Sequence, residues 1–108
     1  MSKFSAFIAI LFITFSHSVI AWDGTESGKV AVLQVTHESN FAFRVTLDTL
    51  KPMCGSDTHT WAYLNKSDSN YETYVSALLA AKFAQTPVTV HTNKDASGYC
   101  KIGYIALH

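Results

Sequence analysis

The sequence predicts a small, mainly β domain with one helix, in the order β-β-β-α-β-β and tied by one disulfide. Three observations carry that prediction. Apolar and polar residues alternate with a period of two on either side of the chain's middle, and one stretch between them follows a helical period instead. Two cysteines, far apart, lie downstream of an apolar leader.

The leader comes first. Lys3 supplies a positive start, Phe4 to Phe15 is broken only by Ser5 and Thr14, and polar Ser16, His17 and Ser18 precede Val19, Ile20 and Ala21. The apolar run is shorter than the roughly 20 residues that span a bilayer, and small or β-branched residues occupy the positions a signal peptidase reads. Residues 1–21 are therefore expected to be a signal peptide cleaved after Ala21, leaving residues 22–108 as a single secreted or periplasmic domain with no stable membrane insertion. Cys54 and Cys100 are the only thiols, and an even count beyond an export signal argues for a disulfide between them. Closing that segment restricts the unfolded chain by about 4 kcal/mol in the entropic picture, a large share of a small domain's stability.

The first strand is expected over Lys29–Thr36, whose KVAVLQVT is apolar enough for a strand covered on both faces. In the second, Phe41, Phe43, Val45 and Leu47 alternate with Ala42, Arg44, Thr46 and Asp48, so one face is dry and the other wet. His37 to Asn40 between them reads as a hairpin loop. An irregular segment through Pro52, Cys54, Gly55 and Asp57 leads to a third strand around His59–Leu64, where Trp61 and Tyr63 share a side. The helix is expected from about Asn70 to Gln85, with apolar residues at 71, 74, 75, 78, 79 and 83 drawing one stripe. Ser69 and Glu72 match a capping box at its start, and Pro87 prevents its continuation. Val88 to His91 is a fourth strand, Asn93 to Gly98 a polar turn, and Cys100 to Leu107 a fifth strand. A helix inserted between the third and fourth of five strands is the connectivity of the OB-fold, a partly open Greek-key barrel. An open α+β sheet with one packed helix gives the same order of elements.

The chemistry is thinner. Eight Lys and Arg against eight Asp and Glu provide no basic footprint for nucleic acid. No histidine pair has the spacing of a zinc site, and neither a P-loop, a G-x-G-x-x-G nor a G-x-S-x-G elbow occurs. No cofactor, metal or catalytic residue is therefore assigned, and a non-enzymatic binding module is expected. Asp57-x-His59 and His91 are the residues on which a small hydrolase would depend, and Asn65-Lys66-Ser67 fits the glycosylation rule. Rings with a polar tip serve at wet core margins and at binding surfaces alike, and Trp61, Tyr63 and Tyr71, gathered around the strand-to-helix junction, form the candidate binding patch. Its partner would be a glycan or a protein, the latter making the chain a periplasmic inhibitor or immunity protein.

Residues Tyr74 to Ala84 (YVSALLAAKFA), then Pro87 to His91 (PVTVH), with Cys100 and a hydrophobic last strand, resemble the helix and following strand of the small OB-fold B subunits of bacterial AB5 toxins, of the subtilase-cytotoxin type. The resemblance implies a homo-oligomeric ring of five that binds cell-surface glycans and carries a separate catalytic subunit. It assigns no glycan-contacting residue, because Asp23 to Gln34 does not follow the family's pattern.

Overall fold

A computed structural model describes residues 21–55 and 59–108. The expected leader thus lies outside the described residues except for Ala21, as does Asp57. The elements are β1 (Gly24–Gly28), β2 (Val30–Val35), β3 (Phe43–Leu47), β4 (Trp61–Leu64), α1 (Tyr71–Ala84), β5 (Val88–Lys94) and β6 (Cys100–Leu107). All six strands belong to one sheet, in the order β1-β5-β6-β4-β3-β2, and the helix falls between β4 and β5 as expected.

The count of six in place of five comes from the first run of chain. β1 and β2 are separated only by Lys29, yet they stand at opposite ends of the sheet order. β1 pairs antiparallel with β5, from Gly24↔Thr92 to Gly28↔Val88, and β2 pairs antiparallel with β3, from Val30↔Leu47 to Val35↔Phe43. One bent strand therefore joins the two ends of the sheet and curls it on itself, an arrangement compatible with an OB barrel. The parallel contact of β4 with β6, through Tyr63↔Lys101, completes the circuit.

Local chemistry explains the bend. A Cβ on Gly28 would stand 2.7 Å from Asp48 Oδ1 and 3.1 Å from Thr49 Cγ2, so glycine lets the 48–49 turn approach without displacing the Asp48 carboxylate. The same carboxylate accepts the Lys29 amide at 3.0 Å, while the Asp48 amide donates to the Lys29 carbonyl at 2.8 Å. One residue further, the register slips between Val30 and Val32, and Lys82 of the helix reaches across to donate to the carbonyl of the bulged Ala31 at 2.9 Å.

The core is filled by the dry face of the alternating strands, Phe43, Val45 and Leu47 with Ala62, Leu64, Val88, Val90 and Ile102, closed by Leu78 and Ala81 of α1. Two expectations about burial fail. The first strand is not covered on both faces, since Val32 and Val35 face outward, Val35 at 71% exposure, and Tyr104 and Leu107 of β6 are exposed too. The strands of a curled sheet have one inner face, and β-branched residues fit the outer face by backbone preference without being buried. The helix stripe is also displaced: Tyr71, Tyr74, Val75, Leu78 and Ala81 face the core, whereas Leu79 and Phe83 face away.

The helix start is corrected as well. Asn70 is the N-cap, in the left-handed region at φ 63°, with no side-chain capping bond, so Ser69 and Glu72 do not form the expected box. Ser69 lies one position too early. The Tyr71 amide donates instead to the Asp68 carbonyl at 3.1 Å. At the other end Gln85 turns left-handed at φ 55°, its amide bonding the Lys82 carbonyl while the Thr86 amide bonds that of Ala81, a Schellman ending that Pro87 follows.

The Cys54–Cys100 disulfide is formed, with Cα atoms 5.5 Å apart. It ties the turn before β4 to the first residue of β6, both half-cystines being buried. Buried Thr92 of β5 donates its hydroxyl to the Met53 carbonyl in the same turn. The site described next stands beside this junction.

Candidate binding site: an aromatic concavity

Pairing of β3 with β4 sets Arg44 opposite Tyr63 and Thr46 opposite Trp61. Arg44 consequently reaches diagonally, and its guanidinium carbon sits 4.8 Å from the centre of the Trp61 ring. Phe41 lies two residues before β3 with φ 54°, a left-handed turn stabilised where its amide donates to Asn65 Oδ1 at 2.8 Å. That turn brings its ring to 4.3 Å from Tyr63 and 6.0 Å from Trp61. Tyr99, the residue before β6, stacks on Trp61 with centroids 5.5 Å apart and planes 24° from parallel. His59 closes the group, 4.8 Å from Tyr99 and 5.5 Å from Trp61.

Phe41, Arg44, Trp61 and Tyr99 together line a concavity of about 220 Å³. Its one cation is Arg44, whose Nε is buried with no hydrogen-bond partner in the described structure. A buried donor in that state costs about 1–3 kcal/mol. A bound group that reorganised Arg44 would recover part of that cost.

Behind the concavity, Tyr63 is buried and donates its hydroxyl to Asp95 Oδ2 at 2.6 Å. Asp95 Oδ1 accepts the amides of Ser97 and Tyr99, each at 2.9 Å. Burial, then the bond to Asp95 and the negative charges of Asp95 and Asp68, hold the Tyr63 phenol well above its ordinary range. Desolvation alone would raise Asp95, but the Tyr63 hydroxyl and the amides of Tyr99, Ser97 and Gly98 outweigh it and keep the carboxylate below its usual range.

Of the patch expected from sequence, Trp61 lines the concavity and Tyr63 supports it from behind. Tyr71 stands apart, half-buried against the core at the start of α1, where it lines a different hollow of about 380 Å³ with Lys66, Asp68, Asn70, Glu72 and Thr73. Asn65 of the glycosylation match spends its side-chain oxygen on the Phe41 amide and is half-buried. The residues that sequence reasoning missed are Phe41, placed with the core face, and Tyr99, Arg44 and Asp95. One signal was available for Asp95, since an aspartate opening a polar turn commonly accepts the amides that follow it.

A second aromatic group lies elsewhere. Trp22 packs over Gly103, where a Cβ would collide with its ring, and its centroid is 5.6 Å from His91 and 6.4 Å from Tyr104. His91 also shares a hydrogen bond with the Thr25 hydroxyl at 3.0 Å. His108, Thr89 and Ser27 form a short hydrogen-bonded row alongside, each contact 2.7 Å.

Among the described residues no group of three or more His, Cys, Asp or Glu is placed to hold a metal ion, and no helix is long and apolar enough to cross a membrane. No family model, curated protein or solved structure matches the chain.

Proposed function

We propose that the chain is a non-enzymatic binding module, secreted or periplasmic, whose aromatic concavity takes a sugar ring at the end of a glycan. The observation that carries this reading is the stacked Trp61–Tyr99 pair with the Arg44 guanidinium over Trp61, at the wall of a shallow hollow. A sugar ring has an apolar C–H face that packs on aromatic rings and hydroxyls that need donors and acceptors, and this hollow offers both. At about 220 Å³ it is smaller than the 300–1,000 Å³ typical of sites that enclose a whole ligand, which suits one terminal ring. The disulfide and the likeness of residues 74–91 to toxin B subunits support export and glycan recognition in the same direction.

The test is retention on a glycan array by the oxidised protein and its Trp61→Ala variant. Retention that disappears with Trp61 supports the reading; no retention, or retention indifferent to Trp61, overturns it. If the toxin-like version holds, the protein also elutes as an oligomer, a pentamer, on size exclusion.

The exposed Leu79 and Phe83, one turn apart on α1 with Phe83 at 82% exposure, favour a second reading as an inhibitor or immunity protein docked on a partner protein. Co-purification of one tight partner, lost in Phe83→Ser and indifferent to Trp61→Ala, would select it.

A further inference from the structure

We infer that Tyr63 and Asp95 are positioning residues for the aromatic concavity: neither lines it, yet together they hold Tyr99 in place against Trp61. The inference rests on the binding reading above and adds to it the device that keeps the site in its stacked shape.

The β5–β6 ladder ends at Lys94↔Cys100, so the turn over residues 95–99 lies beyond the last strand pair. Asp95 holds it from within. The Asp95 amide donates to the Tyr99 carbonyl at 2.8 Å and Asp95 Oδ1 accepts the Tyr99 amide at 2.9 Å, so one residue grips both backbone groups of Tyr99. The Gly98 amide donates to the Asp95 carbonyl at 3.0 Å, and Gly98 sits at φ 90°, where a side chain would be strained.

The Cys54–Cys100 bridge and the strand pairing anchor the end of the turn, and a tether from its aspartate to the strand that carries Trp61 is a separate link. The tether is the second carboxylate oxygen, which accepts the hydroxyl of Tyr63, and the Tyr63 ring is buried on β4 two residues from Trp61. A closed circuit results: Trp61 to Tyr63 along the strand, Tyr63 to Asp95 by a charge-assisted bond, Asp95 to Tyr99 through the backbone, and Tyr99 back to Trp61 by stacking. Holding a binding surface in its bound shape before the ligand arrives spares the ordering cost at the moment of binding.

The experiment uses the oxidised full chain in a Trp22→Phe background, which leaves Trp61 as the one tryptophan of the two in the sequence. It reads near-ultraviolet circular dichroism of the Trp61–Tyr99 pair and binding to a porcine gastric mucin surface as a glycan probe. Asp95→Ala is expected to abolish the stacking band and weaken mucin binding about tenfold, because both the tether to Tyr63 and the grip on the Tyr99 amide go with the carboxylate. Tyr63→Phe should weaken binding about threefold with a reduced band. Asp95→Asn, whose side-chain oxygen still accepts the turn amides, should restore most of both.

A variant that lowers the unfolding midpoint while leaving band and affinity unchanged shows a merely structural role and overturns the inference. Should Asp95→Ala fail to fold, Tyr63→Phe with a native band and native affinity overturns it alone. If mucin binding is absent or indifferent to Trp61→Ala, the glycan reading fails on its own, and the band decides the positioning role of Tyr63 and Asp95.

Discussion

The two aromatic groups of this domain have similar parts and different support. Around Trp61, rings from a left-handed turn, from β4 and from the β5–β6 turn converge on a hollow, and a half-buried hydroxyl–carboxylate bond ties the turn to the strand. Around Trp22, one ring lies over an exposed glycine beside His91 and Tyr104, with exposed hydroxyl contacts from Thr25 to His91 and from Tyr74 to the Gly103 carbonyl. Aromatic content alone does not make a site. What distinguishes the first group is that its rings are held from behind by a buried phenol bonded to a half-buried carboxylate, a charge-assisted bond for which the second group has only exposed neutral contacts.

The sharpest way to break the comparison is to remove the disulfide. Tyr99 precedes Cys100 directly, and Cys54→Ala with Cys100→Ala should cost about 4 kcal/mol, read as a lower urea midpoint, with the Trp61 group disturbed in whatever folded population remains. A loss below about 1 kcal/mol would show that the bridge is not what holds the domain at this size.

Acid titration separates the groups next. Asp95 is held below its ordinary value in the folded state, so its contribution is present above the unfolded carboxylate range and is lost as pH falls through the folded value. The Trp61–Tyr99 signal should therefore weaken in strong acid in the native chain, and Asp95→Asn should flatten that limb. Tyr63 carries the opposite sign: its neutral form is favoured, so its contribution is complete below the ordinary phenol range and fades only as alkali passes the raised folded value. Phenol absorbance should accordingly show one tyrosine titrating after the others.

Gly103→Ala is a smaller perturbation, aimed at the second group. The added methyl collides with Trp22, so the ring should be displaced at a cost of about 1 kcal/mol with mucin binding unchanged. Equal loss of binding in Gly103→Ala and Trp61→Ala would erase the distinction between the groups. Phe83→Ser is the smallest, within about 0.5 kcal/mol of the native stability by thermal melting, because the ring is exposed.

Much of the fold was legible in the chain. The alternation of Phe43, Val45 and Leu47 set the inner face of β3, and the last strand runs over Cys100–Leu107 as its composition suggests. The stretch over Gly24–Gly28 was not legible as a strand, because a polar, glycine-bounded GTESG has no periodic signal and pairs only because β5 lies beside it. The helix stripe was misplaced for a related reason. Leu79 and Phe83 satisfy the helical spacing as well as Ala81 does, and the rotation of a helix on its sheet is set by packing that a one-dimensional pattern does not contain.

The candidate site divides in the same way. Trp61 and Tyr63 could be paired from sequence, since alternate residues of a strand share a side. Phe41 with Arg44 and Asp95 with Tyr99 come from two other stretches of chain, and no local spacing joins those stretches to β4. By itself the sequence determined the order of the helix and five of the six strands, the sulfur pair and the inner face of β3, because periodicity and cysteine chemistry act over short range or through covalency. Only the tertiary structure decided which rings meet and what holds them there, because a bent first strand and a short turn bring together residues whose separation along the chain carries no trace of their neighbourhood in space.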